Sequence, residues 1–418
     1  LGLKARITPP SEWEQIYREA WRFQRDYFYV DNLHGADWPA VYDRYASWLE
    51  HAQHRADLNY VLDVMGGEVS VGHSYTGGGD LPEVDQVPVG LLGVDWEPDR
   101  GYYRVARIFE GEPWTDAAGP LAAPGVDVEE GDYLIAVDGT TVSTSDNPYA
   151  ALEGTAGRQV ILTVNDEPTA EGAREVTVVP TSSEAELRRI AWIDQNRQTV
   201  DSLSDGRLGY VYIPDTGGGG YERFTRNYFS QQDKQGMIID ERFNGGGSAA
   251  DYMVDVMSRQ LHGYFNNPVG DKKPFTSPGA GVWGPKVMII NEMAGSGGDY
   301  LPYLFRKMDI GPLVGTRTWG GLVGIWGTPP LVDGGRITAP RGGFFTTDGE
   351  WAIEGEGIAP DIPVEMTPRL VEQGQDPQLR RAVEEGLRLL ETDGVQLRDQ
   401  PPSPSRVERP TEAETGGG

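Results

Sequence analysis

Between residues 184 and about 365, short apolar runs alternate with helix-length amphipathic stretches, and this alternation limits the possible folds more than any other feature of the chain. Leu208 to Ile213, Gly236 to Asp240, Val287 to Asn291 and Leu313 to Gly315 read as mostly buried strands. Tyr221 to Gln232, Ala249 to Leu261 and Tyr300 to Met308 read as the helices between them. Strand and helix in strict turn predict an α/β layer structure. Gln378 to Glu391 adds one amphipathic helix, and the Pro-rich polar sequence beyond Asp393 predicts a disordered tail.

The regions before it have other textures. Residues 9 to about 65 predict a helical bundle. Ser11 offers an N-cap with Glu14 three residues on, as in a capping box, and Ile16, Ala20 and Phe23 follow at helical spacing. A second helix is expected from Pro39 to about His51 and a third from Ala56 to Met65, ended by Gly66-Gly67. From Val87 to about Pro180 short strands and glycine turns take over, with a hairpin signal at Asp138-Gly139 and a short helix expected over Pro148 to Leu152. This stretch resembles a PDZ domain, with Leu91-Leu92-Gly93 near its carboxylate-binding loop. Such a module binds a peptide as an added strand. A small β-barrel that only braces its neighbours gives the same pattern.

Composition narrows the function. The 418 residues suggest two or three domains at roughly 150 residues each. Asp and Glu number 64 against 36 Lys and Arg, a net charge of −28, which argues against a nucleic-acid partner. No run approaches the ~18 consecutive apolar residues of a membrane helix, so no membrane partner is expected. Without cysteine, thiolate chemistry, Cys-ligated zinc, iron–sulfur clusters and disulfides are excluded. Only six cations are lysine, which fits either a carboxylate-rich surface for a salty cytosol or a genome that favours Arg codons.

Four segments carry residues suited to chemistry. His73 lies in a Gly-rich, strand-like stretch, Gly67 to Tyr75, unlike the four other histidines. His51 and His54 are three apart but have no third ligand nearby, so no metal is expected. Ser296 stands in Asn291 to Asp299, directly after a strand and before a helix, with Gly295, Gly297 and Gly298 around it. A serine there projects its hydroxyl above a sheet beside free amides, or simply caps the helix. Asn244-Gly245-Gly246-Gly247 likewise joins strand to helix and leaves amides uncovered for an anion or oxyanion. It lacks the Gly-Lys-Ser/Thr ending of a nucleotide loop. Finally, Glu354 follows an apolar alternation and can orient a histidine.

Together, His73, a PDZ-like insertion, Asn244 to Gly247, Gly295-Ser296 and Glu354 resemble the C-terminal half of the tricorn protease family. Gly209 to Pro214 and Gly315-Thr316-Arg317-Thr318-Trp319-Gly320-Gly321 strengthen the likeness, which spans about residues 10 to 390. It implies a multidomain α+β fold: a helical bundle carrying the histidine (1–84), a PDZ-like β domain (85–183), an α/β core of the ClpP/crotonase-like, peptidase S41 type (184–393) and a tail (394–418). Tricorn enzymes carry two β-propellers before this region. The chain, opening at Leu1, therefore resembles a fragment or a shortened form. The likeness makes Ser296 the nucleophile, His73 the general base, Glu354 the acidic end of the relay, and the Gly247 and Gly297 amides the oxyanion hole. Phe265, Asn266 and Asp271 become candidate substrate contacts, beside Leu92 and Gly93. It also implies peptide substrates, a homo-oligomer (a hexamer in the family), a cytoplasmic location and no cofactor.

Three departures stand out. The family's serine before the histidine, which links it to the glutamate, is Gly72 here, and a hydroxyl restored there is expected to raise activity. The Asp after the nucleophile is Gly297, whose N–H survives. No acid precedes Asp271 in the segment matching the specificity acid, so a trypsin-like preference is not expected. The related C-terminal processing peptidases use a Ser–Lys dyad, but no lysine stands in Gly315 to Leu322. The reading from another class is a non-catalytic PDZ module on a degenerate peptidase core.

Overall fold

The computed structural model describes residues 8–407, apart from 113, 114 and 116. Helix α1 (Pro9–Tyr27) starts earlier than the Ser11 cap requires: Thr8 is the N-cap, and Pro9 and Pro10 fill the first turn. Proline is suited to that place because its φ is already helical and its missing N–H has no partner to lose. Helix α2 (Trp38–Ala46) stops short of His51, the rest being a 3₁₀ turn over Ser47–His51. Helix α3 (Arg55–Gly67) is capped by His54, whose Nδ1 accepts the Ala56 N–H at 3.1 Å. Ile16, Tyr17, Leu58, Leu62 and Met65 are fully buried between the helices. That core continues through Val69 and Val71 to Val323, Leu331 and Ile337, far along the chain. Strand β1 (Thr76–Gly77) pairs antiparallel with residues 336–337. Arg55 and Asp333 form a buried ion pair at 2.5 Å across the same seam. The segment carrying His73 is thus fixed to residues 323–337 of the α/β region from both sides.

Strands β2 (Val94–Asp99), β3 (Tyr102–Ile108), β4 (Tyr133–Val137), β5 (Thr140–Thr141), β6 (Val160–Asn165) and β7 (Arg174–Val178) form an antiparallel sheet in the order β2-β3-β4-β6-β7, with β5 on β4. Asp138, between β4 and β5, has φ 47°, the conformation that an Asp-Gly turn supplies. The helix expected over Pro148 to Leu152 is only a 3₁₀ turn, Ala150–Leu152. The sheet closes over its own core of Leu92, Leu134, Leu152, Leu162 and Val176.

After α4 (Ala185–Leu203) the chain alternates as expected: β8 (Leu208–Tyr212), α5 (Gly218–Phe229), β9 (Gly236–Asp240), α6 (Ala250–Met257), a hairpin of β10 (Gly263–Phe265) and β11 (Phe275–Ser277), β12 (Lys286–Ile290), α7 (Gly297–Lys307) and β13 (Leu313–Gly315). Then come β14 (Arg336–Ile337), β15 (Ile362–Pro363), α8 (Pro368–Glu372) and α9 (Pro377–Asp393). The central sheet is parallel, in the order β15-β13-β12-β9-β8. Its residues alternate between two cores. Val211, Met237, Ile239, Met288, Ile290 and Leu313 face α5, α6 and α7, while Leu208, Tyr210, Ile238, Val287, Ile289 and Val314 pack with α4 and α9. Both faces are dry, which is why the strands read as continuous apolar runs. Residues 394–407 form no helix or strand and are exposed; the rest of the expected tail, 408–418, lies outside the described residues.

Candidate active site

The loops that leave the carboxyl ends of β9, β12 and β13 converge, as open parallel sheets favour. Ser296 follows β12 at the N-cap of α7 with φ 58° and ψ −115°. A non-glycine residue stays in that region only when its surroundings hold it there. Asp299, fully buried, does so: its carboxylate accepts the Ser296 N–H at 2.9 Å and those of Gly320 and Gly321 at 2.8 and 3.0 Å. Burial raises the Asp299 pKa, and its bonds to Thr318 and these amides pull the other way.

The loop after β9 is built to approach Ser296 closely. Gly247 has φ 137°, and a Cβ on it would overlap the Thr216 backbone. One on Gly246 would sit 2.7 Å from Ser296 Cβ. One on Gly297 would strike Thr216 Oγ1 and Gly247 O. These glycines are required by contact as well as by conformation. The amides of Gly247 and Gly297 have no acceptor among the described residues. Below them, Asn244 Oδ1 accepts the Gly246 N–H at 2.9 Å, and its Nδ2 donates to Glu241 at 3.2 Å. Glu241 is fully buried; burial, then the nearby Asp299, raises its pKa well above the ordinary carboxylate value, against the pull of the Asn244 hydrogen bond.

His73 arrives from the helical bundle. Its carbonyl accepts from Thr338 Oγ1 at 2.7 Å, and Thr338 N–H reaches the Tyr75 carbonyl at 2.8 Å. The ring is buried and its Nδ1 has no hydrogen-bond partner. Burial lowers its pKa, while Glu354, the backbone of Val323 and Asp299 act to raise it. Glu354 is half-buried and accepts three backbone N–H groups, from Gly72 at 3.1 Å and from Leu322 and Val323 at 2.7 Å each. It therefore holds the chain on either side of the imidazole rather than bonding the ring itself. No hydrogen bond joins Ser296 Oγ to His73 among the described residues.

The remaining candidates lie elsewhere. Phe265 is exposed and stacks on Phe275 at 5.5 Å in the β10–β11 hairpin. Asn266 and Asp271 are exposed in its loop, and Asp271 accepts the Lys273 N–H at 3.1 Å. Leu92 is buried in the β2–β7 core. The Gly93 N–H donates to Glu184, next to the start of α4, at 3.3 Å. Sequence reasoning passed over Asp299, Glu241, Thr216 and above all Trp319, whose ring stands 5.1 Å from that of His73. The signal for Trp319 was there: an aromatic followed by two glycines marks a ring that needs room.

Residues 9–67 match the family described as tricorn protease C1 domain, 90–183 the tricorn protease PDZ domain and 207–364 peptidase family S41. The chain is 36% identical over 389 residues to tricorn protease homolog 1 of Streptomyces coelicolor, covering 92% of this chain and 36% of that protein. It is 32% identical to tricorn protease of Thermoplasma volcanium, covering 93% of this chain and 37% of that one. The crystal structure of the tricorn protease superposes with a TM-score of 0.86 at 31% identity, covering 92% of this chain and 37% of that one. The chain thus spans little more than a third of the length of these relatives. With three successive segments matched in order and the fold superposing along nearly its whole length, the chain belongs to the tricorn protease family.

Proposed function

We propose that the chain is a serine endopeptidase that cleaves short unfolded peptides through Ser296, His73 and Glu354. Ser296 Oγ attacks the scissile carbonyl carbon as His73 takes its proton. The carbonyl oxygen becomes an oxyanion facing the Gly247 and Gly297 N–H groups. Collapse breaks the C–N bond, His73 returns its proton to the leaving amine, and an acyl-enzyme on Ser296 remains for water to hydrolyse by the same route. Glu354 favours the imidazolium by its charge and steadies the His73 segment through the Gly72 amide. The observation that carries the reading is the pair of uncommitted amides beside a serine held at positive φ. A helix cap needs neither that strain nor the three glycines packed against it. By the same family likeness the enzyme works in the cytoplasm as a homo-oligomer, a hexamer, on peptides released by larger proteases.

The test is intact mass after exposure to a fluorophosphonate, with peptide mapping. One adduct on Ser296, absent in Ser296→Ala and at least ~10²-fold slower in His73→Ala, is expected. An adduct that persists in Ser296→Ala would overturn the assignment, as would none in the wild-type chain under conditions where it is folded.

A further inference from the structure

His73 lacks the usual restraint on a catalytic imidazole. Its Nδ1 bonds to nothing, and the Glu354 carboxylate spends its bonds on three amides of the chain. The Val323 backbone lies beside the ring, and two aromatic rings pack on it: Trp319 at 5.1 Å and 78°, and Tyr75 at 6.0 Å and 89°, both edge-to-face. Trp319 is itself slotted among glycines. A Cβ on Gly72 would come 2.8 Å from its ring and one on Gly295 2.6 Å, and one on Gly321 would overlap it. Gly72 immediately precedes His73, and Gly295 immediately precedes Ser296. The indole therefore lies between the segment that carries the base and the segment that carries the nucleophile. The backbone N–H of Trp319 donates to the Ala294 carbonyl at 2.9 Å, which ties this residue to the nucleophile's side.

We propose that Trp319 is the positioning residue that sets the His73 ring against Ser296, and that in this chain a side chain added at residue 72 would displace the indole. The proposal rests on the serine-peptidase reading. An edge-to-face pair contributes about 0.5–1.5 kcal/mol beyond its buried area, enough to favour one ring orientation. It also reverses the expectation for Gly72→Ser. A hydroxymethyl group there meets the indole before it can reach Glu354, so the substitution displaces the wedge instead of completing a relay.

The test uses the full chain with Trp319→Ala, Trp319→Phe, Gly72→Ser and the Gly72→Ser/Trp319→Ala pair. Trp319→Ala is expected to lower kcat by about 10- to 100-fold with KM nearly unchanged, as misplacement of a reacting group does. Trp319→Phe should recover most of that loss. Gly72→Ser should lower kcat in the wild-type background and cost little more in Trp319→Ala. Unchanged kcat in Trp319→Ala, or an equal cost of Gly72→Ser in both backgrounds, would overturn the proposal. A second readout needs no turnover: the imidazole resonance of His73, followed by NMR against pH in Ser296→Ala protein. Glu354, Asp299 and Tyr75 face that ring in both forms, so uncovering it by Trp319→Ala should move its titration up toward the ordinary ~6.5. No movement would count against the positioning role even if the wild-type chain proved inert to fluorophosphonate, a result that would sink only the peptidase reading.

Discussion

Two glycine loops in this molecule present backbone amides, and they differ in what meets those amides. In the PDZ-like domain the Gly93 N–H is taken by the Glu184 carboxylate, whose other oxygen binds Arg188 at 2.7 Å. Arg188 reaches on to Asp95 and the Val94 carbonyl and lies over the Phe109 ring at 4.3 Å. Leu187 of α4 covers Gly93, 3.0 Å from where a Cβ would stand. That loop is a clamp between domains, filled by the chain's own helix. At Gly247 and Gly297 no carboxylate of the described chain enters, although Asp299 and Glu241 lie close behind. Asp299 points its oxygens at Ser296, Gly320 and Gly321, and Glu241 is buried below the loop, bonded to Asn244. The same physical device thus serves cohesion where the acid is internal and leaves an opening where the acids are turned away.

The comparison breaks most sharply at Gly247. Gly247→Ala puts a methyl into the Thr216 backbone at a φ that alanine avoids, so the loop must shift and carry its amide away from Ser296. Losing one oxyanion donor costs about 10²–10³-fold in kcat. The check is steady-state turnover of a short peptide alongside a thermal melt. A fall in kcat of that size with the melt little changed is expected; kcat within a few-fold of wild type would remove Gly247 from the hole.

How far the sequence could be read follows the range of the interactions. The buried strands, the Asp138-Gly139 turn and the strand–glycine–helix junctions at Asn244 and Ser296 were legible, because each is a local pattern with a local cause. The start of α1 was misplaced since two prolines outrank one serine as a start signal. Glu184 in the Gly93 loop was invisible: the donor and acceptor are 91 positions apart, and nothing around Glu184 announces a ligand. The docking of His73 by Thr338 spans 265 positions. Trp319 was quoted only as part of a likeness, because the space it fills belongs to three glycines, two of them distant in sequence.

Glu184 offers the complementary break. Glu184→Ala leaves the buried Gly93 N–H without its acceptor and Arg188 with one carboxylate fewer. A lost buried acceptor costs about 1–3 kcal/mol, so the melting temperature should fall measurably. Because the clamp lies outside the Ser296 loops, kcat on a short peptide should stay within about twofold, well under the tenfold that 1.4 kcal/mol at the transition state would bring. A kcat loss as large as that of Gly247→Ala would mean the two loops are not separate devices.

The smallest effect is the most discriminating, since it reads the catalytic loop alone. Burial lowers the pKa of His73, so its neutral, proton-accepting form persists to lower pH than that of an ordinary histidine. In a pH profile of kcat/KM, activity should therefore rise through an acid limb centred below ~6.5 and be near its plateau at neutral pH. Glu354 acts against the burial. Glu354→Gln removes that opposition, so the limb should move lower still while the plateau drops, because the imidazolium formed during attack loses its countercharge. Glu184→Ala should leave the limb where it is. A limb centred above 6.5 in the wild-type chain, or one that follows Glu184 rather than Glu354, would show that the titrating group is not His73 in its buried place between Trp319 and Glu354.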